Sequence, residues 1–342
     1  MVTDVRRQRA DDDATTGGPA GARSARRRWW IPYAFLAPLV SVFALFYLWP
    51  AFNTVLSSFF EWGLANPWRI HDPSTWEFVG LSNYAENLTS ARFWNSVVNT
   101  AMWLIVFPAM VLLISLLVSV AIWFLPWGGT LFRTAFILPM TISLAAAGVI
   151  WTFMYNPDFG VIPSFLGLFG LDGAALDWGP IHLRAGQWLS NPGTIDLGFV
   201  QIRLVNLSLV VAGVWAFTGF GVITITAGLT AIPPDLIEAA RVDGARPLQI
   251  VRHVLVPSLR GSLVIVGTIS VIFALRTFDI VWVVTQGGPA TDSEVLAVLL
   301  YQQAFQFIGD AGLATTVAVL MSIVLIAAAY PYLRGVIQEE RH

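Results

Sequence analysis

The sequence predicts an all-α polytopic membrane protein with six transmembrane helices. Three observations predict it: the scarcity of charge, the length of the charge-free runs and the placement of arginine. Of 342 residues, 56% are hydrophobic and 12% are charged. Soluble domains carry about 25% charged residues, so lipid is the main solvent for this chain. The formal net charge of −2 gives no argument for a nucleic-acid partner, and none is expected. Cysteine is absent, which removes disulfides, thiolate metal sites and cysteine nucleophiles together. Lysine is absent too; all 19 basic residues are Arg. The chain therefore lacks the Lys of a phosphate-binding P-loop and of Schiff-base chemistry, and does not hydrolyse ATP by that route alone. His71, His182, His253 and His342 are scattered, so no catalytic residues and no metal site are expected.

A bilayer core of about 30 Å needs roughly 20 apolar helical residues. Residues 1–28, rich in Asp, Arg, Gly and Ala, cannot bury enough apolar surface to fold and are expected to be a disordered tail. The first span, 29–61, follows three arginines and contains no charge before Glu61. Its apolar run exceeds the ~7–15 residues of a signal-peptide core, so it reads as a retained helix. An external segment, 62–95, leads to the second span, 96–125, and a Gly-Gly turn leads to the third, 130–156, which ends at Asn156-Pro157-Asp158. Segment 157–203, rich in Gly, Pro, Trp and Asp, is long for a turn and reads as a small ordered cap. The fourth span is 204–232, ending at Pro233-Pro234; the fifth is 261–285; an external segment covers 286–310; the sixth span is 311–334, and 335–342 is the C-terminus.

Arginine sets the orientation. With the N-terminus in the cytoplasm, 14 Arg fall on the inner side and 4 on the outer, with Arg276 inside a span. This bias places both termini in the cytoplasm.

The inner stretch 233–260 has internal logic. Pro233 and Pro234 stop one helix and open the next, because Pro is tolerated in a first turn and not in a helix interior. Asp235 is a first-turn acid facing the helix dipole. Leu236, Ile237, Ala240 and Val242 are expected on an apolar side, with Glu238, Arg241 and Asp243 elsewhere. Gly244 sits where a left-handed helix stop is needed. A second short helix, Leu248–Leu255, is expected to end before Pro257. The product is a helix–turn–helix hairpin.

Glu238-Ala239-Ala240, three residues, Gly244, and then Val254-Leu255-Val256-Pro257 resemble the EAA loop of ABC-importer permeases, at that family's spacing. Val254 and Val256 stand where Ile and Leu are usual, which are apolar exchanges. Thr277-Phe278-Asp279-Ile280 with Val284-Thr285-Gln286-Gly287-Gly288-Pro289 is similar to the end of the fifth helix in carbohydrate permeases of the maltose type. The resemblance covers 29–337. It implies a permease subunit of an ATP-driven importer of a sugar, a di- or oligosaccharide such as an α-glucoside. The implied partners are a second permease subunit, two copies of an ATPase and an extracytoplasmic solute-binding protein. ATP and Mg would be bound by the ATPases and no cofactor by this chain. Glu238, Ala239, Ala240, Arg241, Asp243, Gly244, Val254 and Pro257 would couple this chain to the ATPases, with Glu238 meeting a basic residue there.

Sugars are held by aromatic faces and hydroxyl-directed hydrogen bonds, and Trp215, Phe217, Thr218 and Phe220 offer that mixture. The resemblance carries a substrate path onto Gly213, Trp215, Ala216, Phe217, Phe220, Ser270, Ala274 and Thr277. Gly213, Ala274 and Thr277 depart from the amide side chains that bind maltose, which leaves the sugar open. Arg276 and Asp279 are costly intramembrane charges. Three residues apart, they are expected to share a helix face, as an ion pair or as part of a path or gate. A glycerophosphodiester or glycerol phosphate is the alternative solute. An ion-coupled secondary transporter is the alternative class, for which no internal repeat is visible.

Overall fold

The computed structural model describes residues 31–63, 66–68, 72, 76–125, 128–171, 174–178, 181–190, 193–196, 201–306 and 311–339. The expected disordered tail, 1–28, lies outside the described residues. The chain divides into two units, residues 1–53 and 54–342. The first holds α1 (Ile31–Phe43), a π turn over Ala44–Leu48 and the start of α2 (Trp49–Ser57). The Trp49 amide donates to the Ala44 carbonyl five residues back, one residue before Pro50. The wider turn accommodates a residue that has no N–H and whose ring would strike the carbonyl four back.

In the second unit β1 (Phe60–Glu61) pairs with β2 (Glu77–Phe78), and α3 (Ser82–Thr89) precedes the 33-residue α4 (Ala91–Trp123). Next come α5 (Gly129–Ile137), a 3-10 turn over Leu138–Thr141, α6 (Leu144–Met154) and α7 (Val161–Gly167). Strands β3 (Ala175–Trp178), β4 (Ile181–Arg184), β5 (Gly193–Asp196) and β6 (Gln201–Arg203) form an antiparallel meander in that order. β6 runs straight into the 27-residue α8 (Leu204–Thr230). α9 (Pro234–Val242) and α10 (Pro247–Ile250) follow. A π turn over Val251–Leu255 then leads to α11 (Val256–Ser258). The chain ends with α12 (Arg260–Leu275), α13 (Asp279–Thr285), α14 (Leu296–Phe305) and α15 (Ala311–Glu339).

α4 and α8 are the central pair, and α12 packs on both. Trp103, Phe107 and Val111 of α4 and Leu209, Val210, Ile225 and Leu229 of α8 are fully buried between them. The helices touch through small residues: Ser115 donates to the Thr218 carbonyl at 3.2 Å and Ser119 to the Val222 carbonyl at 3.3 Å. A Cβ on Gly221 would lie 2.1 Å from the Ser115 hydroxyl, so only glycine permits this approach.

Among the described residues, three helical stretches are long and apolar enough to cross a membrane unbroken: Tyr33–Ser57, Ala91–Trp123 and Leu204–Thr230. Two others are bent, which corrects the expected continuous helices. The third span, expected as one helix over 130–156, turns by 103° between Thr141 and Leu144. Pro139 supplies no amide there, and the Ser143 hydroxyl caps α6 by accepting from Ala146 N at 3.2 Å. The fifth, expected over 261–285, breaks at Arg276-Thr277-Phe278 between α12 and α13, and α12 bends by 68° from the helix before it. The segment 286–310 contains α14, α4 begins at Ala91 instead of 96, and α15 continues past 334.

Candidate functional site

The hairpin over Pro234–Ser258 is built from local signals. Pro234 opens α9 and Asp235 sits in its first turn. Its end is a full Schellman motif: the Ala245 amide donates to the Ala240 carbonyl at 2.9 Å and the Gly244 amide to the Arg241 carbonyl at 3.0 Å. Gly244 has φ +76°, a conformation costly to any residue bearing a Cβ. Gln249 accepts from the Arg246 amide at 2.7 Å, which fixes the start of α10.

The hairpin is amphipathic, on a different face from the one expected. Ile237 and Ile250 are buried, and Ala240 and Ala245 pack against the core behind them. Leu236 is half exposed and Val242 is 87% exposed, because a step of 3.6 residues per turn carries 236 and 242 away from 237 and 240. Glu238, Ala239, Arg241 and Asp243 are exposed, and so is Leu248, at 78%. Leu236, His253, Val254, Pro257, Ser258 and Arg260 line an open groove between the two arms. The second arm does not stop before Pro257. The π turn, with the Val256 amide donating to the Val251 carbonyl, carries the helix through the proline to Ser258, as it does at Pro50.

The expected path residues divide between two faces of α8. Trp215 lines a cavity of about 360 Å³ with Met110, Trp151, Val214 and Thr218, its ring edge-on to Trp151 at 5.9 Å. Phe217 and Phe220 turn the other way, into a cluster with Phe107 and Phe273 whose centroids lie 4.8–5.6 Å apart. Gly213 is packed on Trp103 and Phe107, and Ala216, Ser270 and Ala274 are buried. Ser270 and Thr277 spend their hydroxyls on their own helix, donating to Val266 and Phe273 carbonyls.

Arg276 and Asp279 do not form the expected pair. Arg276 caps the end of α12 and Asp279 begins α13, so the three-residue spacing no longer means a shared helical face. Both are exposed, and both line a pocket of about 280 Å³ with Leu144, Ile269, Phe273, Thr277 and Phe278.

Sequence reasoning missed a buried polar seam at the end where α4 and α8 begin. Glu294 accepts from Arg92 Nε and Nη2 and from the Ser96 hydroxyl at 2.8 Å. Asn99 donates to the carbonyls of Asp292 and Glu294, and Asn206 donates to the Asn99 side chain at 2.9 Å and the Asp292 carbonyl at 2.8 Å. Thr100 accepts from the Leu296 amide, and Arg203 pairs with Asp292. The segment after α13 is thereby pinned to both central helices. The signal was legible as polar residues at helical spacing, 92, 95–96 and 99–100, opening an otherwise apolar helix.

Residues 188–335 match the family described as binding-protein-dependent transport system inner membrane component. The chain is 32% identical over 296 residues to the alpha-glucoside transport system permease protein AglF of Rhizobium meliloti, covering 86% of this chain and 79% of that protein. It is 30% identical over 308 residues to the sn-glycerol-3-phosphate transport system permease protein UgpA of Brucella suis, covering 88% and 93%. Its fold resembles a chain in the crystal structure of a bacterial ABC transporter that imports the acidic polysaccharide alginate, with a TM-score of 0.66 and 20% identity over 90% of this chain and 96% of the other.

Proposed function

Because the chain belongs to the family of binding-protein-dependent transport system inner membrane components, we propose that it is one permease subunit of an ATP-driven importer that moves a sugar from an external binding protein into the cytoplasm. It works with a second permease and two copies of an ATPase, and ATP and Mg are handled by those partners. Six spans cross a bacterial inner membrane with both termini inside: the three unbroken stretches, the bent stretch over 129–154, α12 with the short α13, and α15.

The observation that carries this reading is the hairpin. Ile237 and Ile250 anchor it to the core, while Glu238, Arg241, Val242 and Leu248 are left exposed. A short rigid element, closed by a Schellman turn and continuous with α12 through α11, transmits motion of a docked ATPase to the membrane helices. Trp215 and the cavity it lines, together with the break between α12 and α13, mark the solute route. An α-glucoside or related sugar is the preferred solute, consistent with AglF; the likeness to UgpA keeps a glycerol phosphate as the alternative.

The test is uptake by vesicles carrying this chain, a second permease, the ATPase and the binding protein, offered maltose, trehalose and sn-glycerol 3-phosphate. Sugar uptake that requires internal ATP is expected. Uptake that ignores ATP and follows an ion gradient would replace the reading with a secondary transporter.

A further inference from the structure

Between Arg260 and Asp292 the chain carries only two charged residues, Arg276 and Asp279, and both project into one pocket. The neighbouring path residues are used up by the protomer itself: Ser270 and Thr277 bond to their own helix, and Phe217 is packed against Phe107 and Phe273. Arg276 and Asp279 are not. They are exposed on either side of the helix break, beside the rings of Phe273 and Phe278, and among the described residues neither side chain has a hydrogen-bond or ion-pair partner. Charges at this depth persist where they line a polar cavity or meet a partner.

We propose that Arg276 and Asp279 form a subsite that selects a neutral polyhydroxy solute and rejects an anionic one. This inference rests on the importer reading above and narrows its substrate class. A solute with several hydroxyls can donate to the Asp279 carboxylate and accept from the Arg276 guanidinium in the same pocket, whose lining includes the apolar rings of Phe273 and Phe278. Each contact is a charge-assisted hydrogen bond. A phosphate satisfies Arg276 but meets Asp279 as a like charge, and discrimination of this kind comes from the repulsive element as much as from the attractive one.

The absence of native cysteine makes the pocket directly readable. Ile269 lines it and is 41% exposed, so Ile269→Cys is a reporter that leaves both charges in place. In the assembled transporter, a charged water-soluble thiol reagent is expected to label this cysteine. A neutral disaccharide that the complex takes up should slow the labelling, and sn-glycerol 3-phosphate should not. Adding Asp279→Asn should weaken protection by the disaccharide roughly tenfold, the loss of one charge-assisted bond, and should make sn-glycerol 3-phosphate protective. Arg276→Gln should remove protection by the disaccharide and, combined with Asp279→Asn, protection by sn-glycerol 3-phosphate as well. Labelling of the reporter at the wild-type rate without solute, and co-purification of the ATPase, establish that each variant is folded and assembled.

A reporter that cannot be labelled in the complex would place the pocket against the second permease and overturn the proposal. So would protection unchanged in Asp279→Asn, or equal protection of the unaltered pair by sugar and glycerol phosphate. Protection without any ATP-driven uptake would instead strike the importer reading and leave the subsite standing.

Discussion

Arg92 and Glu294 meet across more than two hundred residues of sequence, with Arg92 Nε placed 3.1 and 3.0 Å from the two carboxylate oxygens. Glu294 is 1% exposed and Arg92 33%, so the carboxylate has exchanged water for the guanidinium and the Ser96 hydroxyl. A buried charge without its partner is far more costly than the intact pair is stabilising. Arg92→Ala is therefore expected to lower the thermal midpoint of the detergent-solubilised protein by several degrees, a loss of about 2 kcal/mol once the partial exposure of Arg92 is allowed for. Glu294→Gln should do less harm, because the freed guanidinium retains water and Gln302. Equal midpoints for Arg92→Ala and the unaltered protein would mean the seam does not hold the segment after α13.

That seam also shows where the sequence stops being informative. The hairpin was legible because its signals are local: Pro234 starts a helix, Gly244 ends it, and neither depends on anything distant. The seam pairs 92 with 294 and 206 with 292, and no property of α4 alone selects those partners. Hydropathy found the apolar stretches but not their bends, since Pro139 and Ser143 alter direction without altering apolarity. The expected Arg276–Asp279 face failed for the same reason, as the helix that would align them ends at Leu275. On α8 neighbouring helices decide that Trp215 opens on a cavity while Phe217 packs against Phe107 and Phe273.

The contact between α4 and α8 predicts a size-exchange experiment. Gly221→Ala would place a methyl 2.1 Å from the Ser115 hydroxyl and 2.6 Å from its Cβ, so the helices must separate. Overpacking of this kind costs roughly 1–3 kcal/mol. Pairing it with Ser115→Gly returns the space, and the double variant should recover most of the lost thermal midpoint despite a glycine penalty of about 1 kcal/mol. If the double variant is no better than Gly221→Ala alone, the close approach is not what limits stability.

Gly244 tests the hairpin as a lever. With φ at +76°, Asn, Ala and Val should be tolerated in that order, because Asn visits the left-handed region most readily and a β-branched chain least. Insertion and core packing should survive, since a Cβ at this position meets nothing within 4 Å. Sugar uptake should fall along the series while the ATPase still co-purifies, the signature of a docked but misdirected lever. Uptake by Gly244→Val at the unaltered rate would remove the turn from the mechanism.

Glu238 tests docking. It lies on the exposed side of α9, one residue from the buried Ile237 that fastens the helix to the core. Glu238→Lys therefore disturbs no packed interior, and the protein should insert and melt as before. The effect should appear at the contact with the ATPase, where the proposed partner of Glu238 is basic and the substitution turns attraction into repulsion. Reversal of that kind costs several kcal/mol where the contact is desolvated and much less at an exposed rim. Recovery of the ATPase with the purified permease should drop by at least tenfold, and binding-protein-stimulated ATP hydrolysis should fall with it. Glu238→Gln, which keeps shape and hydrogen bonding, should fall between the two. Raising salt separates charge from shape: it should narrow the gap between Lys and Gln if repulsion is the cause, because exposed charges are screened within about 10 Å at 0.1 M. Normal uptake and full ATPase recovery in Glu238→Lys would show that the hairpin is not the docking surface.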